Sequence, residues 1–190
     1  MSRFQLHLYS VTGTVVVFIF SLWANEQIFT HSQFVRGVNW IYLPAGIRLL
    51  STLLLGADGA LGLLIASWIV NFAFFFPNDI VRSLAGGIIA TAAPYGVYRL
   101  SRELWGLQAS LANLTAKRLL ILVLAYSIAS PLLHHIWFVL RGDTQNIVER
   151  FLAMVIGDLT GTLIVIYTLK GVLSLLPRRH VTRPAEPGSS

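Results

Sequence analysis

The chain reads as an all-α protein, a polytopic membrane helix bundle of about six transmembrane helices with both termini on the cytoplasmic side. Three observations predict this. Of the 190 residues, 55% are hydrophobic and only 12% are charged, with a mean hydropathy of +0.70, far too apolar for an ordinary soluble domain. Apolar runs near 8–24, 39–55, 59–76, 80–98, 117–140 and 150–176 approach the roughly 20 residues that a helix needs to cross a bilayer. Placed on six alternating spans, the basic residues then divide unevenly. Arg3, Arg99, Arg102, Lys117, Arg118, Arg178, Arg179 and Arg183 fall on one side, and Arg36, Arg82, Arg141 and Arg150 on the other. The richer side is expected to be cytoplasmic.

The predicted organisation is an integral bundle over 1–176 and a disordered basic cytoplasmic tail over 177–190, suited to lying beside anionic lipid. The net charge of +6 is therefore read as orientation and lipid contact. Nucleic-acid binding is not expected, because no basic stripe with interleaved aromatics lies outside the spans. Cysteine is absent, which excludes disulfides, thiolate metal sites and thiol nucleophiles.

In the first span, Arg3, an apolar run and the small residue Ala24 loosely resemble a secretory signal peptide. The polar Thr12-Gly13-Thr14 and the amphipathic continuation to Phe29 suit a retained helix better. The connection 24–39 is long enough for an interfacial turn of helix anchored by Ile28, Phe29 and Phe34. The second span opens with Trp40 and Tyr42 at headgroup level and is expected to be interrupted at Pro44 and Gly46. Arg48 follows four residues after Pro44, on the same face.

Gly56, Gly59 and Gly62 predict a tight, closely packed hairpin between spans two and three, with Asp58 at its tip. Pro77 and Asn78 end span three, and Asp79 is placed to cap span four. Gly86, Gly87 and Ala90 give span four a small-residue face for another helix, and Pro94 is expected to bend it. In the connection 99–118, Leu100, Leu104, Leu107, Leu111 and Leu114 recur at helical spacing. They predict an amphipathic interfacial helix, lying on lipid or docking a cytoplasmic partner. Span five carries Pro131 and His134-His135. Span six carries Gly157, Asp158 and Gly161, where GxxxG spacing lets a neighbouring backbone approach.

Charge inside the spans is the main functional signal. An ionisable group at the bilayer centre costs roughly 2.5 to 3.5 kcal/mol on insertion scales, so it persists where it meets a partner or a cavity. Arg48, Arg82, His134, His135 and Asp158 all fall in the outer half, with Asn39, Asn71 and Asp79 nearer the rim. A polar cavity opening outward, centred on Arg48 and Asp158, accounts for that distribution. The same residues also admit an ion pair that only pins helices, or a proton or ion pathway.

Adjacent helical residues point about 100° apart, so His134 and His135 are not expected to share a metal ion, and no cofactor is implied. Walker, dinucleotide-glycine, HExxH, nucleophile-elbow and kinase motifs are absent, and nothing points to catalysis.

Trp40-Ile41-Tyr42-Leu43-Pro44-Ala45-Gly46, followed by a Leu-rich helix and a Gly-containing turn, resembles the Trp-Pro-Gly opening of the bacterial membrane-associated sensor domain of type one (MASE-like). Gly157-Asp158-Leu159-Thr160-Gly161 is similar to that family's late D-x-x-G segment. The likeness covers about half the chain and rests on Pro44, Gly46, Asp158 and Gly161. It implies a multi-span sensory module of a kind normally fused to a histidine kinase or a cyclic-di-GMP enzyme. Six spans are fewer than is usual there, and the chain shows no output domain, so a sensor of this kind signals through a separate protein. The expected function is thus a membrane sensory or accessory protein that takes a small-molecule ligand in the cavity. The alternatives are a small-solute transporter or its substrate-binding subunit, and a structural subunit of a membrane complex.

Overall fold

The computed structural model describes residues 2–35 and 37–175; the tail predicted over 177–190 lies outside the described residues, as does Arg36. Six helices and one small hairpin follow in order: α1 (Arg3–Ile28), β1 (Gln33–Val35), β2 (Val38–Asn39), α2 (Leu43–Leu55), α3 (Ala57–Val70), α4 (Ile80–Trp105), α5 (Ala116–Leu140) and α6 (Ile147–Leu175). A π turn over Asn71–Phe75 continues α3. Among the described residues, five helices, counting α3 with its π turn as one, are long and apolar enough to cross a membrane.

The helix starts follow local chemistry. Ser2 and Gln5 form a capping box at α1, Asp79 accepts the amide of Arg82 at α4, and Thr115 accepts that of Arg118 at α5. Between α2 and α3, Gly56 takes φ +57° and serves both ends, so the chain reverses within a single residue. Close crossings depend on small residues. A β-carbon on Gly62 would come within 2.6 Å of Thr14 on α1, and one on Gly87 would collide with the Trp68 ring on α3. The buried face interleaves Phe18, Leu49, Leu53, Leu63 and Tyr126 with Thr14, Asn25, Thr52, Ser127 and Thr162. Residues such as Phe20, Ile69, Ile88, Leu124, Ile128 and Ile156 face outward, an arrangement suited to lipid contact.

Three features differ from the sequence expectation. First, α2 has 13 residues and covers roughly 20 Å of a bilayer core of about 30 Å, and the non-helical residues before it complete the passage, since Asp58 just after α2 meets His7 near the start of α1. Pro44 stands in the first turn of α2, where its missing amide is harmless, so it opens the helix where an interruption was expected. Second, the first connection forms an antiparallel hairpin, Gln33 opposite Asn39 and Val35 opposite Val38, in place of an interfacial helix. The β-branched valines favour extended backbone, and Gly37 at φ +83° supplies the reversal. Third, the amphipathic helix expected through 114 stops at Trp105. Gly106 adopts the left-handed conformation, and the Asn113 side chain bonds both the Gly106 carbonyl and the Gln108 amide, which locks a turn. Leu104 is therefore exposed on α4, Leu107 is buried, and Leu111 packs on the core at φ +56°, so the three leucines share no docking face.

Pro94 and Pro131 lie inside continuous helices. Near the former, the fully buried Thr52 hydroxyl donates within α2 and reaches the Pro94 carbonyl on α4 at 3.4 Å.

Candidate functional site

The site is organised by the non-helical stretch between β2 and α2. Gly157 and Gly161 on α6 lack side chains where this stretch passes: a β-carbon on either would collide with the carbonyl of Asn39 or of Tyr42. The bare helix surface also supplies hydrogen bonds. Tyr42 donates its amide to the Gly157 carbonyl at 3.1 Å, and the Thr160 hydroxyl donates to the Trp40 carbonyl at 3.1 Å. Asn25 on α1, 1% exposed, accepts the amide of Leu43 at 2.8 Å. Open backbone inside a helix bundle is tolerated where protein satisfies it, and these three bonds do so from two helices. One turn further on, Gly46 of α2 rests against Val165 and Thr162 of α6.

Beside this stretch lies a cavity of about 80 Å³, lined by Asn39, Arg48, Asn71, Arg82, His134 and Asp158 among others. At roughly 10–15 Å³ for each water it has room for several waters or one small solute. The cavity thus gathers side chains from the stretch before α2, from α2 itself, the π turn, α4, α5 and α6.

Arg48 enters from α2. Its guanidinium lies 5.2 Å from the Phe18 ring centre and 5.3 Å from that of Tyr42, and donates to the Tyr42 hydroxyl at a long 3.4 Å. Asp158 enters from α6, 3% exposed. Arg48 Nε and Asp158 Oδ2 are buried without a hydrogen-bond partner among the described residues. The Tyr126 hydroxyl adjoins Arg48 and that of Ser130 adjoins Asp158, neither closing into a well-formed bond. Arg48 and Asp158 interact electrostatically, yet among the described residues no direct ion pair joins Asp158 to Arg48 or to Arg82.

The remaining lining residues are held more firmly. Asn71 donates to the Ser83 carbonyl at 3.0 Å, and a β-carbon on Gly86 would come within 2.9 Å of its amide nitrogen. Arg82 lies 4.2 Å from the Phe76 ring centre. His134 bonds the Ser130 carbonyl at 2.8 Å through Nδ1, which must carry the hydrogen because a carbonyl only accepts. His135 bonds Pro131 in the same manner but does not line the cavity, its ring edge-on to Phe138 and Phe151. The two histidines are thus divided, and among the described residues no group of three His, Asp or Glu side chains is placed to hold a metal ion.

Arg150 was placed by sequence only as a charge at a span end. It is 8% exposed and lines the cavity, making a bidentate pair with Asp143 at 2.8 and 3.2 Å and lying over the Phe138 ring at 4.5 Å. Asp143 lies between α5 and α6, and its hydrogen bond to Arg150 holds the carboxyl below its ordinary value of 3.8, with burial opposing. Asn25, Tyr42 and Tyr126 also had no functional assignment from sequence. Asn25 had a weak signal, a polar residue on the inward face of an apolar helix.

The fold and the cavity together define a multi-span membrane helix bundle with charged groups in its interior. No family model, no curated protein and no solved structure matches the chain.

Proposed function

We propose that this protein is a small sensory or accessory subunit of a bacterial inner membrane, with both termini in the cytoplasm. It takes a small solute into an outward-facing polar cavity and passes that state to a separate cytoplasmic protein. One observation carries the reading: Arg48 and Asp158 line the same cavity from α2 and α6 without forming an ion pair. A solute that bridges them draws on both helices, and α2 is short and tied at its start to α6 by the Tyr42–Gly157 backbone bond and the Thr160 hydroxyl, so binding changes how the two pack. Support also comes from the two segments that resemble the membrane-associated sensor domain. Trp40–Gly46 and Gly157–Gly161 touch through Tyr42, Thr160 and Gly161, so they form one structural unit.

Mass spectrometry of proteins that co-purify with the full-length chain from native membranes in mild detergent tests this reading. Stoichiometric recovery of a cytoplasmic kinase or cyclase is the expected result, and recovery of the chain alone counts against it.

A second reading, small-solute transport, is favoured by the short α2 led in by non-helical backbone beside a charged cavity, a construction that transporters use. Solute uptake into vesicles that is lost with Asp158→Asn selects it.

A further inference from the structure

We infer that the solute taken by this cavity is a small zwitterion of amino-acid type, its carboxylate held by Arg48 and its ammonium by Asp158. This deepens the cavity reading above and rests on it.

The inference starts from the two ends of the cavity. Asp158 is 3% exposed, and its Oδ2 has no hydrogen-bond partner among the described residues. Buried polar groups are overwhelmingly satisfied, and a buried carboxylate is best satisfied by a donor that is itself cationic. Arg48 presents the opposite need. Its Nε is unpartnered and its bond to the Tyr42 hydroxyl is long, while the Phe18 and Tyr42 rings hold the guanidinium in place. A planar guanidinium matches a carboxylate in both geometry and charge. Asn39, 4% exposed, adds an unused amide donor to the same lining.

Simpler solutes fit only half of this. A plain anion satisfies Arg48 but is set against the Asp158 carboxylate, and a plain amine satisfies Asp158 but is set against Arg48. A molecule carrying both groups pairs both and leaves the balance of charge unchanged. Of the other lining cations, Arg150 is paired with Asp143, while the Arg82 charge, stacked on Phe76 but not cancelled by it, favours the carboxylate end of the solute. The volume of about 80 Å³, room for about five to eight waters, suits a solute of few heavy atoms such as glycine or alanine.

Isothermal titration of the full-length protein in detergent tests the inference, with glycine and alanine compared against acetate and methylamine. Saturable binding of glycine or alanine is expected, about 10-fold or more tighter than either half-molecule. Asp158→Asn is expected to bring the preference for alanine over acetate close to one, and Arg48→Gln to remove binding of both. Circular dichroism and monodispersity show whether each variant folds, and Arg48→Lys serves if Arg48→Gln does not. Acetate bound as tightly as alanine overturns the zwitterion while leaving the cavity reading intact. A folded protein that binds none of the four, its interior filled by water alone, overturns both.

Discussion

The carbonyl of Tyr42 lies against the α-carbon of Gly161, leaving no space for a β-carbon on α6. This contact seats the non-helical stretch before α2 on the helix that carries Asp158. Gly161→Ala and Gly157→Ala are expected to destabilise the protein by about 1–3 kcal/mol, as overpacking of a tight core does. Gly171→Ala, in open space on the same helix, is expected to be neutral or stabilising by up to about 1 kcal/mol. Thermal unfolding in detergent distinguishes them, and equal effects at 161 and 171 refute the contact.

Asn25 gives a second test of the same region. Asn25→Ala strands the part-buried Leu43 amide and should cost about 1 kcal/mol, the low end of the penalty for an unsatisfied buried donor. Unchanged unfolding shows that the bond does not hold α2 in place.

The bridge between Asp143 and Arg150 sets a pH dependence. Because the folded carboxyl titrates below its ordinary 3.8, the pair stabilises the fold above about that pH, and the contribution is lost as pH falls through the lower folded value. Asp143→Asn should therefore reduce stability near neutrality and flatten its decline under acid. The side chain of Asp143 is 36% exposed, so solvent screening keeps the effect modest. Acid unfolding profiles of the two proteins provide the comparison.

The long helices were legible because lipid contact requires continuous apolar sequence, and the caps at Asp79 and the turn at Gly56 were legible because each needs a particular residue type. What the sequence concealed depends on tertiary partners. Residues 39–55 have the composition of a span, yet the first four residues take extended and turn backbone because Gly157 and Thr160 satisfy them from α6, and Asn25 accepts the first amide of α2. The leucines after Trp105 keep helical spacing through Leu114, but a left-handed Gly106 outweighs periodicity. The π turn at Asn71 left no sequence signature. Arg48, Arg82, Asn71, His134 and Asp158 stood out because polar groups are costly in lipid, whereas Arg150 counted only toward orientation because a charge at a span end is ordinary.

Double neutralisation separates a solute site from a helix pin. An ion pair whose only role is to hold helices predicts that Arg48→Gln combined with Asp158→Asn restores what either single change removes. Arg48 and Asp158 are not in contact, so the double variant is expected to fold and to bind no solute. Full recovery of binding or signalling in that variant contradicts a functional site.

An outward-facing polar cavity is the central claim, and the chain's lack of cysteine makes it directly measurable. Met154→Cys places a single thiol on the cavity wall, and Arg102→Cys places one at the opposite end of the bundle. Both are treated in right-side-out vesicles with a small, membrane-impermeant thiol reagent. The expected result is modification of Met154→Cys from the outer face while Arg102→Cys reacts only after the vesicles are opened. Modification of Met154→Cys only from the cytoplasmic face, or from neither, contradicts the claim.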